Sequence, residues 1–227
     1  MTKKIKVIIE RLNKEYGLFT EPTLDYGTPY ELLIATMLSA QCTDERVNMV
    51  TKDLFKKYTS VEDFANADIK ELEKDIHSVG FYHAKATHII EACKRLHEVY
   101  NDEVPSDIED LTGLSGVGRK TANVVRTHVF KIPSIVVDTH VKRISNRLGM
   151  TKEQDPVKIE FDLMKKLPKE QWSAINLQLI TLGRSICTAR KPKCGECFLK
   201  DVCPSRGNCH PEGFSPKDLR DSSLCSE

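Results

Sequence analysis

The nine residues GLSGVGRKT, 113–121, decide how the rest of the chain is read. Three glycines followed by Arg119, Lys120 and Thr121 come close to the phosphate-binding loop G-x-x-x-x-G-K-[ST]. Downstream, the apolar run SIVVD, 134–138, ends in Asp138, as the acidic strand of an ATPase would. The nucleotide reading fails on spacing and on context. The lysine of such a loop directly follows the last glycine, but Arg119 stands between Gly118 and Lys120. The loop also needs a buried strand before it, and here SDIEDLTGL reads as helix.

Helix signals run the length of the chain. Ile5, Ile8, Ile9, Leu12 and Tyr16 recur at helical spacing, and Gly17 ends the run. TPYELLIATMLSAQ opens with Thr28 as cap, Pro29 at the first helical position and Glu31 completing a capping box. TDERVNMVTKDLFKKY follows from Thr43, and ADIKELEKDIHSVG runs from Asp68 to Gly80. YHAKATHIIEACKRLHEVY carries Ala86, Ile89, Ile90, Cys93 and Leu96 on one stripe. SDIEDL offers a short capping box from Ser106 to Glu109. Asp138 caps DTHVKRISNRLG, and Asp155 with Pro156 opens DPVKIEFDLMKKLP. QWSAINLQLITLGRSIC leads into a cysteine cluster. SIVVD is the one strand-like run and has no partner, so the expected fold is all-α. Residues 204–227 are polar and rich in Pro, Ser and Gly, and predict a poorly ordered tail.

Between two helices, the glycines of GLSGVG permit positive φ and a close approach by another group. The second helix starts near Gly118 or Arg119. Its first amides have no intrahelical partner and carry partial positive charge. Together with the turn amides they form an anion site, suited to a nucleic-acid phosphate. A tight interhelical turn without a ligand has the same spacing, and spacing alone leaves both open. Charge favours the phosphate. From Arg119 to Arg147 there are seven Lys or Arg against one acid, Asp138, although the net charge of the whole chain is only +1.

The 227 residues, 40% apolar and 30% charged, fit a globular protein of one large or two small domains. The start, MTKKIKVIIERLNKEYG, is neither a secretory signal nor a spanning helix. No membrane contact is expected, and the expected location is cytoplasmic, associated with the nucleoid. Cys187, Cys194, Cys197 and Cys203 are spaced C-x6-C-x2-C-x5-C, whereas Cys42, Cys93, Cys209 and Cys225 are scattered. A tight set in a reducing compartment points to metal rather than disulfides. Spacing alone permits structural zinc. Between the first two of the set lies TARKPK, a basic loop whose Lys191 and Lys193 are candidates for DNA-backbone contact.

LTGLSGVGRKTANVV (111–125), VVDTHVKR (136–143) and the cysteine spacing together resemble the helix-hairpin-helix DNA glycosylases. The closest likeness is to their iron–sulfur branch, the endonuclease III family. LLIATMLSAQCTD (32–44) and GFYHAKA (80–86) resemble the same branch, and the likeness extends over about 25–203. Ser115 stands where the family often has Pro, Cys42 where Ala is common, and Phe81 where another large apolar residue is frequent.

The resemblance implies two helical domains with a DNA-binding cleft between them. One spans 22–132 and holds the hairpin. The other joins 1–21 to 133–203 and holds a [4Fe-4S] cluster on the four cysteines. Lys120 and Asp138 are then the catalytic pair. Gly116, Gly118, Arg119, Thr121, His140 and Arg143 are candidate DNA contacts. Gln41 would fill the gap left by a flipped nucleotide and Phe81 would wedge into the stack. The implied partner is double-stranded DNA with damaged pyrimidines or abasic sites, met by a monomer. The free amine of Lys120 would attack C1′ of the sugar, expel the base and leave a Schiff base. Positive charge beside a lysine favours the free amine, and Arg119 and a helix start are its sequence neighbours. The residues also permit a monofunctional mismatch- or adenine-type glycosylase, or a non-catalytic helix-hairpin-helix protein with a structural metal. Lys120 and the absence of a further domain within the given sequence favour the bifunctional glycosylase and lyase.

Overall fold

The computed structural model describes residues 1–18 and 23–207. Among them are eleven α-helices, two short 3-10 turns and no β-strand. The chain divides into two compact units, Glu21–Ile132 and Met1–Thr20 with Pro133–Glu227. Each has its own apolar core.

The Glu21–Ile132 unit contains α2 (Pro29–Leu38), α3 (Asp44–Lys57), α4 (Val61–Ala65), α5 (Ile69–Asp75), α6 (Tyr82–Tyr100), α7 (Ile108–Thr112) and α8 (Arg119–His128). Helix α2 begins at the full Thr28–Glu31 capping box, and every residue from Leu32 to Leu38 is buried. A helix apolar on all sides belongs at the centre of a bundle, and the others pack round it. Phe64 of α4 is fully buried and stacks on Tyr58, with ring centroids 4.8 Å apart. Ser60 caps α4, a helix too short for its period to stand out in the sequence. Helix α6 places Ala86, Ile89, Cys93 and Leu96 in this core.

The other unit contains α1 (Lys3–Tyr16), α9 (Thr139–Arg147), α10 (Pro156–Lys166), α11 (Trp172–Ser185) and the cysteine-bearing loop. Ile5, Ile8, Ile9 and Leu12 of α1 enter its core beside Ile144, Leu163, Leu179 and Leu182. Gln178 of α11 is buried and joins three elements. It donates to Asn13 Oδ1 at 2.8 Å and to the Gly17 carbonyl at 2.6 Å, and accepts from Gln171 at 2.7 Å. Gly183 allows α9 to lie close on α11. A Cβ there would collide with His140 Nδ1 and approach Arg143 Nη2 to 2.9 Å.

As its lack of a partner predicts, SIVVD belongs to no sheet among the described residues: it is extended, Ser134, Ile135 and Val136 are buried, and Asn176 of α11 donates to the Val136 carbonyl at 3.0 Å. Two expectations need correction. The cap of α7 is Asp107, not Ser106, because its carboxylate takes the amides of Glu109 and Asp110. Helix α2 stops at Leu38, so Gln41 lies beyond its end in a turn. Most of the 204–227 tail, with Cys209 and Cys225, lies outside the described residues.

Gln178→Leu leaves the Gly17 carbonyl and the Gln171 amide without their partner. The expected loss is about 2 kcal/mol of stability, the cost of stranding buried polar groups, read as a lowered urea midpoint with an unchanged slope.

Candidate functional site

Helix α7 is joined to α8 by a hairpin whose apolar residues, Leu114 and Val117, are buried in the bundle core. Gly116, between them, has φ +72°, and a Cβ there would come within 2.7 Å of His88 Cβ on α6. Ser115 donates to Glu91 Oε2 at 2.6 Å and meets His88 Nδ1 at 2.9 Å. The hairpin is thus fastened to α6 by packing and by hydrogen bonds. Sequence reading missed His88 and Glu91, because nothing in a helical stripe tells which exposed polar residues face a distant turn. The Val117 amide bonds back to the Leu114 carbonyl. Among the described residues, the amides of Gly116, Gly118, Lys120 and Thr121 find no acceptor. Gly118 caps α8 with φ −84°, and nothing lies within 4 Å of where its Cβ would be. The fold itself does not require a glycine there, so the open face suits close approach by a ligand.

Lys120 lies in the first turn of α8, with its side chain exposed. Asp138 is half-buried and caps α9, Oδ1 accepting from the Val141 amide at 2.7 Å. Its Oδ2 takes no hydrogen bond among the described residues. The capping role therefore leaves half of the carboxylate for chemistry. His140 and Arg143 come together on α9, 3.2 Å apart, and Arg143 also donates to the Cys187 carbonyl at 3.1 Å. Burial, with Arg147 alongside, lowers the pKa of the Arg143 guanidinium.

Gln41 and Phe81 share an uncommon backbone state. Both are exposed, with φ of +56° and +47°. Phe81 is 67% exposed, a large ring displayed to solvent on left-handed backbone. A bulky residue at positive φ is a true outlier, and such strain, of roughly 1–3 kcal/mol, concentrates at functional sites.

Cys187, Cys194, Cys197 and Cys203 line one cavity together with Ile144, Leu148, Leu182 and Ile186. Arg147, not singled out from the sequence, holds the start of the basic loop. It donates to the Thr188 carbonyl at 2.8 Å and the Ala189 carbonyl at 2.9 Å, and reaches Cys187 Sγ at 3.4 Å. The Lys193 amide closes the loop onto the Ile186 carbonyl, which leaves Arg190, Lys191 and Lys193 exposed. Arg11 of α1 grips the far end through the Phe198 carbonyl and the Asp201 carboxylate.

Residues 34–169 match the model of the HhH-GPD superfamily of base excision DNA repair proteins, and 187–203 match the iron–sulfur binding domain of endonuclease III. Endonuclease III of Synechocystis sp. is 53% identical over 184 residues, covering 81% of this chain and 84% of its own. The chain belongs to the endonuclease III family. Two solved structures of endonuclease III, a non-covalent complex with DNA and a trapped covalent intermediate with DNA, are each 43% identical to it. Their TM-scores are 0.85 and 0.84, and they cover 92% of this chain and 98% and 99% of theirs.

The cysteine cavity fits the [4Fe-4S] cluster of an endonuclease III. All four cysteines line one cavity, with the apolar Ile144, Leu148, Leu182 and Ile186 and the basic Arg147, Lys200 and Arg206 as further walls. Four thiolate donors are what a [4Fe-4S] cluster takes, and basic neighbours suit its anionic thiolate shell. Burial pushes the Cys197 and Cys203 thiols up and the neighbouring cysteines add to it, while the Leu199 and Ser205 amides oppose it. A bound cationic group holds such thiols as thiolates.

Gly116→Ala is expected to lower both the melting temperature and the affinity for duplex DNA, the latter by about tenfold (about 1.4 kcal/mol). Gly118→Ala should weaken binding with little change in melting temperature, since its Cβ meets no protein atom. Thermal melts and fluorescence-anisotropy titrations on two unrelated sequences check both.

Proposed function

We propose that this protein removes oxidised pyrimidines from duplex DNA and then cuts the strand at the resulting abasic site. The observation that carries the reading is Lys120, exposed in the first turn of α8 directly beside a nest of unpartnered amides. A strand phosphate bonded to those amides fixes the neighbouring sugar in front of the lysine. This is positioning by backbone, independent of base sequence.

The chemistry follows from what each group can do. Lys120, as free amine, forms a bond from Nζ to C1′ as the C1′–N bond to the base breaks. The base leaves with the bond's electron pair and takes up a proton. Asp138 assists its departure, stabilising the positive charge that develops on the sugar. Transfer of the remaining amine proton to O4′ breaks the C1′–O4′ bond and opens the sugar ring to a Schiff base. Removal of a C2′ proton then drives β-elimination, breaking the C3′–O bond and nicking the strand. Water finally releases Lys120.

The target base must leave the stack first. Gln41 fills the space it vacates, and Phe81 wedges into the base stack. Lys191 and Lys193 add backbone contacts from the loop held by Arg147. The [4Fe-4S] cluster, when bound, would supply the cross-link that ties the two ends of this loop together through Cys187 and Cys194. The protein acts as a monomer, in the cytoplasm on nucleoid DNA.

Borohydride reduction during reaction with duplex DNA containing an oxidised pyrimidine should trap a covalent adduct, absent in Lys120→Ala. Base release without an adduct would instead identify a monofunctional glycosylase, and neither product would leave only DNA binding. Replacing Lys191 and Lys193 together by Ala should weaken binding and flatten the dependence of log K on log salt by about two. An unchanged slope would show that the loop does not meet phosphate.

A further inference from the structure

Lys85 of α6 is only 7% exposed, yet it carries an ammonium group. Its Nζ donates to the Leu38 carbonyl at 2.8 Å and the Val79 carbonyl at 2.9 Å. Burial lowers its pKa, so the fold bears a cost to keep it there. An apolar side chain would fill the same space without that cost. What the lysine adds is its two hydrogen bonds, and both fall at telling places.

Leu38 is the last residue of α2. Continued helix would bring the Cys42 amide to its carbonyl, but that amide turns to Ser39 instead. Lys85 takes the carbonyl that the turn abandons, and Gln41 sits in that turn. Val79 ends the 3-10 turn His77–Val79, and Gly80 and Phe81 follow, both at positive φ. The Lys85 backbone amide also bonds the Phe81 carbonyl at 3.1 Å. One residue therefore holds the Phe81 turn by side chain at one end and by main chain at the other, while anchoring the Gln41 turn with the same ammonium. The cation also lies at the negative end of α2.

We infer that Lys85 is a positioning residue for lesion extrusion, fixing the Gln41 and Phe81 turns in their exposed left-handed states before DNA arrives. This rests on the proposed roles of Gln41 and Phe81 in the DNA stack. Preorganisation of this kind moves the cost of ordering two loops from the encounter with DNA to the folding of the protein.

The test compares Lys85→Met, which keeps length and removes the hydrogen bonds, with Lys85→Arg, which keeps charge and donors. Single-turnover base release from a duplex oxidised pyrimidine should fall about tenfold or more in Lys85→Met, as expected when a contacting group is misplaced, and recover at least partly in Lys85→Arg. Borohydride trapping on an abasic site in single-stranded DNA needs no base extruded from a duplex, and should change by less than about twofold, too little to signify a lost transition-state contact. In a Gln41→Ala/Phe81→Ala background, adding Lys85→Met should lower duplex base release no further. Equal losses on both substrates, or an additive loss in that background, would overturn the inference and leave Lys85 a general packing residue. If Gln41→Ala/Phe81→Ala itself leaves duplex base release unchanged, the stacking roles of those two residues fail and the inference fails with them.

Discussion

Peptide amides without acceptors are the constraint that organises the Glu21–Ile132 unit. A folded chain normally pairs its buried amides or leaves them in water. At the α7–α8 hairpin, the amides of Gly116, Gly118, Lys120 and Thr121 find no acceptor among the described residues, and the turn that carries them is firmly held. Leu114 and Val117 plug the core, Gly116 lets the turn lie against His88, and Ser115 bonds to His88 and Glu91. Where a proline would stiffen this turn covalently, Ser115 stiffens it by hydrogen bonds to α6. A rigid nest loses little entropy when an anion enters, which is what makes a few uncharged donors adequate for phosphate.

The Met1–Thr20 and Pro133–Glu227 unit solves a different problem. Its cysteine loop is basic at its start, and its later part, with Leu199, Phe198 and Val202, packs on the core. Arginines fasten both of its ends. Arg147 and Arg143 take carbonyls at the loop's start, and Arg11 takes its far end. A guanidinium suits this because it presents several donors in a fixed plane. The same α9 that sends Arg143 and Arg147 to the loop begins with Asp138 as its cap. The position of the carboxylate and the seating of the loop's start are thus properties of a single nine-residue helix.

Local signals made much of this legible before any coordinates. The Thr28–Glu31 capping box, the Pro156 start and the glycine turn depend on residues close in sequence, and each appears in the fold as written. The four cysteines were legible for the same reason, their spacing being itself the signal. SIVVD was legible as extended and partnerless, because burial and β-branching look the same in a strand and in an extended segment clasped by helices, and no second such run exists to pair with it. Ser106 misled because a neighbouring aspartate, a stronger acceptor, took the cap. Arg147, His88 and Lys85 were invisible for a further reason. Each acts on backbone or side chains from 6 to 47 residues away, and a sequence does not announce where a long side chain ends.

The exposed Phe81 shows how such hidden contacts and visible ones combine. Hydrophobic burial would draw a ring of that size into the core, and sterics would move its backbone out of the left-handed region. Neither occurs. Gly80, also at positive φ, removes one steric objection just before it, and the Phe81 carbonyl is fixed by the first turn of α6. Lys85 removes the remaining freedom by holding Val79. The exposed ring is therefore not a loop that failed to pack. It is held outward by contacts on both sides, the arrangement expected when the apolar surface that will cover it belongs to another molecule.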